Sequence, residues 1–183
     1  RYNVYPSTVV YNVFNIDQTN MKEARPEIYE KIILENGGKK QEHKGEMFHF
    51  DAMDRMMEEN RWICPIKQLH GDSAFYSISK KLIVLPEFSQ FKDGESIYGT
   101  AFHEMAHSTG AEEHLNRLKP AAFQSAEYAQ EELVAELTSA MVCQYCGMDK
   151  YIKEDSAPYL KSWLSSLQQD AQYIKTILLD VKR

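Results

Sequence analysis

The chain has 183 residues, enough for one domain with a sizeable core, and its 43% apolar and 26% charged content excludes wholesale disorder. Twenty-one basic against 27 acidic residues leave a net charge of −6, which argues against this chain alone gripping a nucleic-acid backbone. Three cysteines (Cys64, Cys143, Cys146) do not make a disulfide framework and point to a reducing, cytoplasmic compartment.

The N-terminal "RYNVYPSTVV" lacks the layout of a signal peptide, and no apolar run approaches the roughly 18 residues that span a bilayer, so no membrane partner is expected. The chain opens on Arg1, and "KTILLDVKR" at its end still reads as helix; the expectation is a fragment of a longer protein. "TVVYNVFNI" (8–16), rich in β-branched and aromatic residues, predicts a strand. "RPEIYEKIILENGG" predicts a helix, with Pro26 in the first turn and Gly37 and Gly38 as its stop. In "GEMFHFDAMDRMMEEN" the second half has helical spacing, and Met53, Met56 and Met57 are read as core residues.

"SAFYSISKKLIVLPEF" holds two apolar runs, Ala74–Ile78 and Leu82–Leu85, and predicts a hairpin, or two neighbouring strands, ended by Pro86. "GESIYGTAFHEMAHSTG" predicts a helix with Ile97, Ala101, Met105 and Ser108 on its turns and Gly110 as cap. A loop holding Pro120 follows. "AEYAQEELVAELTSAMVCQYCG" predicts a long helix closed by Gly147, with Leu133, Leu137, Ala140 and Met141 burying one side. After a polar break at Pro158, "YLKSWLSSLQQDAQYIKTILLDVK" is helical again. Strands early and helices late make an α+β pattern.

The chemistry lies in "AFHEMAHSTG". Each helical residue turns about 100°, so His103 and His107 stand about 40° apart on one face. Both imidazoles can reach one ion, and Glu104, pointing elsewhere around the helix, can take a water's proton without being a ligand. The competing reading is a solvated polar face; the helical context, the preceding strand pair and the glycine cap favour a metal. A catalytic zinc needs a third protein ligand and one open position. Glu113 occupies the place of the third histidine in the extended H-E-x-x-H-x-x-G-x-x-H pattern, with His114 one place late. In "EELVAE", Glu132 and Glu136 lie four apart on another helix. Glu132 is favoured as third ligand over Glu113 and His114, and Glu136 could then bond the far nitrogen of a ligand histidine. Against this stands the ordinary meaning of the run Glu131, Glu132 and Glu136, an exposed charged face.

Tyr128, one turn before Glu132, is either an oxyanion donor in the same cleft or a packed core tyrosine. "CQYC" is read as a pair of buried thiols rather than a metal or redox site, and His43, His49 and His70 show no ligand spacing.

"YGTAFHEMAHSTGAEEHLNR", "SAEYAQEELVAEL", "SAFYSISKKLIVLPEF" and "YNVFNIDQT", in that family's order, resemble the zincin-like metallopeptidase domain of ArdC-type antirestriction proteins. These are polyvalent proteins of conjugative plasmids and other mobile elements. The resemblance runs from about residue 8 to about residue 170. It implies a gluzincin-like site with Zn2+, His103, His107 and a glutamate of "EELVAE" as ligands, and Glu104 as catalytic base. It also implies an upstream domain that binds single-stranded DNA, of which residues 1–20 would be the tail end, leaving 21–183 as the metallopeptidase domain. There are two departures. "KGEMFHFDAMDRMMEENRWICPIKQL" (44–69) looks like an insertion, and related gluzincins commonly carry Asp where this chain has Glu136.

The reading is therefore a zincin-like domain with a small, mostly antiparallel sheet, the H-E-x-x-H helix and a second helix that brings Glu132. It would hydrolyse a protein or peptide, held in extended form by an edge strand at Leu82–Leu85. The alternative is a non-proteolytic, zinc-stabilised module that protects DNA or occupies a host factor.

Overall fold

A computed structural model describes residues 15–36, 46–119, 121–122, 125–148, 163–168, 170 and 172–182. The chain divides into two compact units, residues 1–40 and 41–183. In the first unit a 3-10 turn (Ile16–Gln18) leads into a short helix α1 (Met21–Ala24) and then α2 (Pro26–Asn36). Thr19 links the first two by donating from its hydroxyl to the Ile16 carbonyl (2.6 Å) and accepting from the Met21 amide (3.2 Å). Pro26 opens α2 where its missing N–H costs no helical hydrogen bond. Most of the strand predicted over 8–16, and the Gly37–Gly38 stop, lie outside the described residues; Ile16, the last residue of that run, is in the 3-10 turn.

The second unit is organised around α4 (Gly94–Thr109). Asp93 caps it, its carboxylate accepting from the Ser96 amide at 2.7 Å and from the Ser96 hydroxyl. Twelve of its 16 residues are buried, so it is a core helix covered on several sides. Ile97, Tyr98 and Ala101 are fully buried against Ile83 and Leu85 of the sheet, in a cluster that includes Met53, Cys64 and Ile66. Each such Ile or Leu contributes about 1.5–3 kcal/mol relative to exposure. Met56 and Met57 pack at the edge of the same cluster, as their spacing predicts.

Among the described residues the sheet has three strands, β1 (Ile66–Leu69), β2 (Phe75–Ser77) and β3 (Leu82–Pro86), in the order β1-β3-β2. β2 and β3 form the predicted hairpin, with Tyr76 opposite Ile83. β1 runs parallel to β3 on its other side, Ile66 opposite Ile83. The expected mostly antiparallel sheet is thus a mixed one among the described residues. It also follows that β3 is a central strand and that the expectation of an edge at Leu82–Leu85 is wrong; among the described residues the edges are β1 and β2. The apolar density of β3 marks burial, and burial on both flanks is what a central strand needs.

The stretch 44–69, expected as an insertion, builds part of this core. It supplies α3 (Asp51–Glu58) and β1, and buries Met53, Cys64 and Ile66. The Tyr98 hydroxyl donates to Asp54 (2.8 Å) and accepts from the Phe50 amide (2.7 Å), tying the start of α3 to α4.

α5 (Ala126–Tyr145) starts at Ser125, whose hydroxyl accepts from the Tyr128 amide at 3.2 Å. It ends as predicted at Gly147, which adopts φ 75° so that the Met148 amide bonds the Cys143 carbonyl (2.8 Å) and the Gly147 amide bonds that of Gln144 (3.0 Å). One side of α5 packs on α4, where the fully buried Ser139 hydroxyl donates to the Gly99 carbonyl at 2.8 Å. Another side packs on α6 (Tyr173–Val181) through Ala129, Leu133, Val134, Trp163 and Ile177. Two-sided packing turns Met141, expected in the buried stripe, out to solvent at 54% exposure. The single helix predicted over 159–182 is interrupted: residues 163–168 are helical, and the Asp170 carboxylate then accepts from the Gln172 amide at 2.8 Å ahead of α6. No helix among the described residues is long and apolar enough to cross a membrane.

Candidate metal centre

Helical spacing puts His103 and His107 on one face of α4, and the α4–α5 packing sets Glu132 opposite them. The two Nε2 atoms are 3.1 Å apart. Glu132 Oε2 lies 3.5 Å from His103 Nε2, and its Oε1 lies 3.6 Å from His107 Nε2. Among the described residues this is the one group of three His, Cys, Asp or Glu donors gathered tightly enough to hold an ion. A tetrahedral ion with bonds of about 2.1 Å separates its ligand atoms by about 3.4 Å; the two Nε2 atoms are near that spacing, each Glu132 oxygen approaches one of them, and one donor atom from each of the three residues lies within 4.8 Å of the others. Two imidazole nitrogens and a carboxylate oxygen suit a divalent metal.

Both histidines have a carboxylate at the far nitrogen. His103 Nδ1 faces Glu136 Oε1 at 3.3 Å, and His107 Nδ1 faces Glu131 Oε1 at 3.2 Å. Of the two contacts, that of His107 has hydrogen-bond geometry: when Nε2 is the ligand atom, His107 Nδ1 carries the proton and points it at Glu131, which fixes tautomer and ring orientation, whereas Glu136 stands beside His103 at ion-pair distance. All three glutamates are therefore withdrawn from solvent, not on the exposed charged face that such runs usually form. Burial works to raise the Glu132 carboxyl, but hydrogen bonds from His103 and Tyr128 and the two neighbouring imidazoles hold it below the usual range. For Glu131 burial is likewise overcome, here by His107 and Arg117.

Glu104 is buried on α4, 5% exposed, and lines a cleft of about 610 Å³ that also contains the three donors. Tyr128 borders the same cleft, packs beside the α5–α6 core and hydrogen-bonds Glu132, so both readings of it describe part of its surroundings. Phe75 and Ile78 of the β2 side form the opposite wall.

Glu113 and His114 stand outside the donor group. His114 is exposed, and Glu113 pairs with Lys81 at 2.7 Å. The loop turns back just after α4, the Leu118 amide bonding the Gly110 carbonyl at 2.8 Å, so that residue 117 and not residue 113 or 114 returns to the helix. Gly110 caps α4 with an ordinary helical φ of −76°. Its lack of a side chain matters for space, since a Cβ would stand 3.0 Å from Leu118 Cγ and 3.1 Å from Arg117 Nη2.

The contact of Glu131 with His107, and Arg117 behind it, have no sequence signal, because Glu131 reads as one more charge in a run. Cys143 is buried and Cys146 half-buried, both free, and burial pushes the Cys146 thiol up. His49 stacks on Phe88 and bonds Asp54, and His70 pairs with Glu87 at 3.5 Å. His43 lies outside the described residues.

Two histidines one turn apart, the intervening glutamate and a carboxylate from a second helix define a zincin-type centre. Residues 52–177 match the zincin-like metallopeptidase family, and the chain belongs to it. The match begins inside the stretch expected as an insertion. The chain is similar to the crystal structure of the antirestriction protein ArdC from the R388 plasmid in its Mn(II)-bound form, with a TM-score of 0.66 and 26% identity over 74% of this chain and 50% of that one. The metal-free ArdC structure gives a TM-score of 0.64 at the same identity, covering 48% of that chain. In sequence it is 38% identical over 106 residues to the y4eC protein of Sinorhizobium fredii, and 40% identical over 100 residues to the DNA primase TraC of Escherichia coli. These matches cover 58% and 55% of this chain, but it spans only 34% of y4eC and 7% of TraC.

Proposed function

We propose that this chain is the metallopeptidase domain of an antirestriction protein of a mobile genetic element, loaded with Zn2+ and acting on a protein or peptide in the cytoplasm. The observation that carries this reading is the gathering of His103, His107 and Glu132 donor atoms within 4.8 Å of one another, with Glu104 buried in the same cleft. A divalent metal bound there supplies a Lewis acid for a carbonyl and acidifies a water. Glu104 accepts the proton of the attacking water and returns it to the leaving amine. An extended peptide would pair with β2, an edge strand among the described residues, whose Phe75 and Tyr76 line the same cleft as Glu104. Tyr128, which lines the same cleft, is the candidate donor to an oxyanion.

Family membership and the likeness to ArdC support the antirestriction setting, and the free thiols support a reducing compartment. The rival reading, a metal-stabilised binding module, is weakened by one observation: a purely structural site gives no reason to bury Glu104 beside the donors. The test is incubation of the zinc-loaded protein with unfolded substrate proteins, followed by mass spectrometry of the products. Internal cleavages abolished by a chelator and restored by zinc are expected; intact substrates under all conditions would refute the peptidase reading.

A further inference from the structure

We infer that Arg117 is a positioning residue for the metal site, acting on His107 through Glu131; the inference rests on the metal-site reading above. The Arg117 side chain is 9% exposed, and it reaches both ligand-bearing helices. Its Nε donates to Glu131 Oε2 at 2.8 Å and its Nη2 to Glu131 Oε1 at 3.0 Å. Nη2 also donates to the Ala106 carbonyl at 2.9 Å, and Nη1 to Thr109 Oγ1 at 3.3 Å.

The planar guanidinium fork fixes both the position and the plane of the carboxylate it grips. The oxygen so fixed, Glu131 Oε1, is the one that receives His107 Nδ1. Ala106 immediately precedes His107, so the same side chain ties the α5 glutamate to the helical turn that carries the ligand. His107 needs such a brace: it lies in the last turn of α4 and is more exposed than His103 (13% against 6%). Arg117 also neutralises a buried carboxylate that would otherwise be drawn out to water. Gly110 makes the approach feasible, since a side chain there would crowd Nη2.

The competing explanation is a staple that holds the 111–118 loop to α5 and does nothing for the metal. The two are separated by Arg117→Met, Arg117→Lys and Glu131→Ala in the full chain. Zinc affinity is measured by competition with a chromophoric chelator, and the His107 tautomer by nitrogen-15 NMR of the metal-free protein. Arg117→Met is expected to weaken zinc by about 10- to 100-fold, the range for loss of an orienting partner, and to replace the Nδ1–H form of His107 by a mixture. In the Glu131→Ala background it should add little further loss. Arg117→Lys should recover part of the affinity. If Arg117→Met lowers the melting temperature but leaves zinc affinity and tautomer unchanged, or costs as much without Glu131 as with it, the inference is overturned. Should Arg117→Met not fold, Arg117→Lys carries the same test, with wild-type affinity and tautomer as the contradicting result. Failure of the wild-type protein to bind zinc would instead sink the metal reading, and the tautomer would still report on Arg117.

Discussion

His103 Nε2 and His107 Nε2 face each other at 3.1 Å inside a site that Glu132 closes from the neighbouring helix. Two imidazole nitrogens at that distance need a proton or a cation between them. The carboxylates at their far sides, Glu136 and Glu131, favour the proton on Nδ1 and leave Nε2 as a lone pair for an ion.

The purified protein should therefore bind about one zinc per chain. At a free zinc concentration 100 times the dissociation constant, binding stabilises by about 2.7 kcal/mol. For a chain of this size that raises the melting temperature by about 5–10 °C. Differential scanning calorimetry with and without chelator reads it directly; an unchanged transition with no metal by elemental analysis would contradict the site.

Substitution of the carboxylates should give a graded series. Glu132→Ala removes a donor and should cost the most affinity for zinc. Glu131→Ala and Glu136→Ala remove orienting groups and should cost about 10- to 100-fold. Glu113→Ala and His114→Ala should leave affinity near wild type, since Glu113 is engaged with Lys81 and His114 is exposed. Loss of zinc on His114→Ala with retention on Glu132→Ala would assign the third ligand to the loop.

The site also depends on how closely α4 and α5 approach. Ser139 is fully buried and bonds the Gly99 carbonyl at 2.8 Å, two small residues at the helix contact. Ser139→Leu should destabilise by about 1–3 kcal/mol through overpacking and weaken zinc as α5 is pushed away. Ser139→Ala should cost only about 1 kcal/mol, the lost hydrogen bond. Denaturant unfolding and chelator competition on both variants check this; equal behaviour of the two would show that spacing at this contact is unimportant.

Much of this architecture is legible in the sequence. The H-E-x-x-H pattern, the Gly94 to Gly110 helix and the β2–β3 hairpin follow from periodicity and punctuation. β1 does not, because "IKQL" exposes three of its four residues and so shows neither a run nor an alternation. Without β1 the sheet looks antiparallel and β3 falls at its edge. The break at Asp170 is hidden because "QQDAQY" reads as a polar helix face, and only the bond of its carboxylate to the Gln172 amide reveals a turn there. The role of Glu131 needs a long-range fact, the packing of α5 on α4, that no local pattern contains.

Nucleic-acid binding by this chain should be weak. Its net charge is −6, and Arg117, which lines the cleft, is engaged by Glu131. Fluorescence anisotropy with a single-stranded oligonucleotide should show no submicromolar affinity at physiological salt, and little preference over other polyanions.

The central claim is that Glu104 works on water beside a bound metal. Glu104→Gln keeps the shape of a buried side chain on α4 and removes the carboxylate. The decisive measurement is the rate of substrate cleavage by this variant, taken with its zinc content. A fall of at least about 10²–10⁴-fold with zinc content and melting temperature unchanged is the predicted result. Cleavage at the wild-type rate with zinc retained would contradict it, and would leave the metal to serve a binding surface.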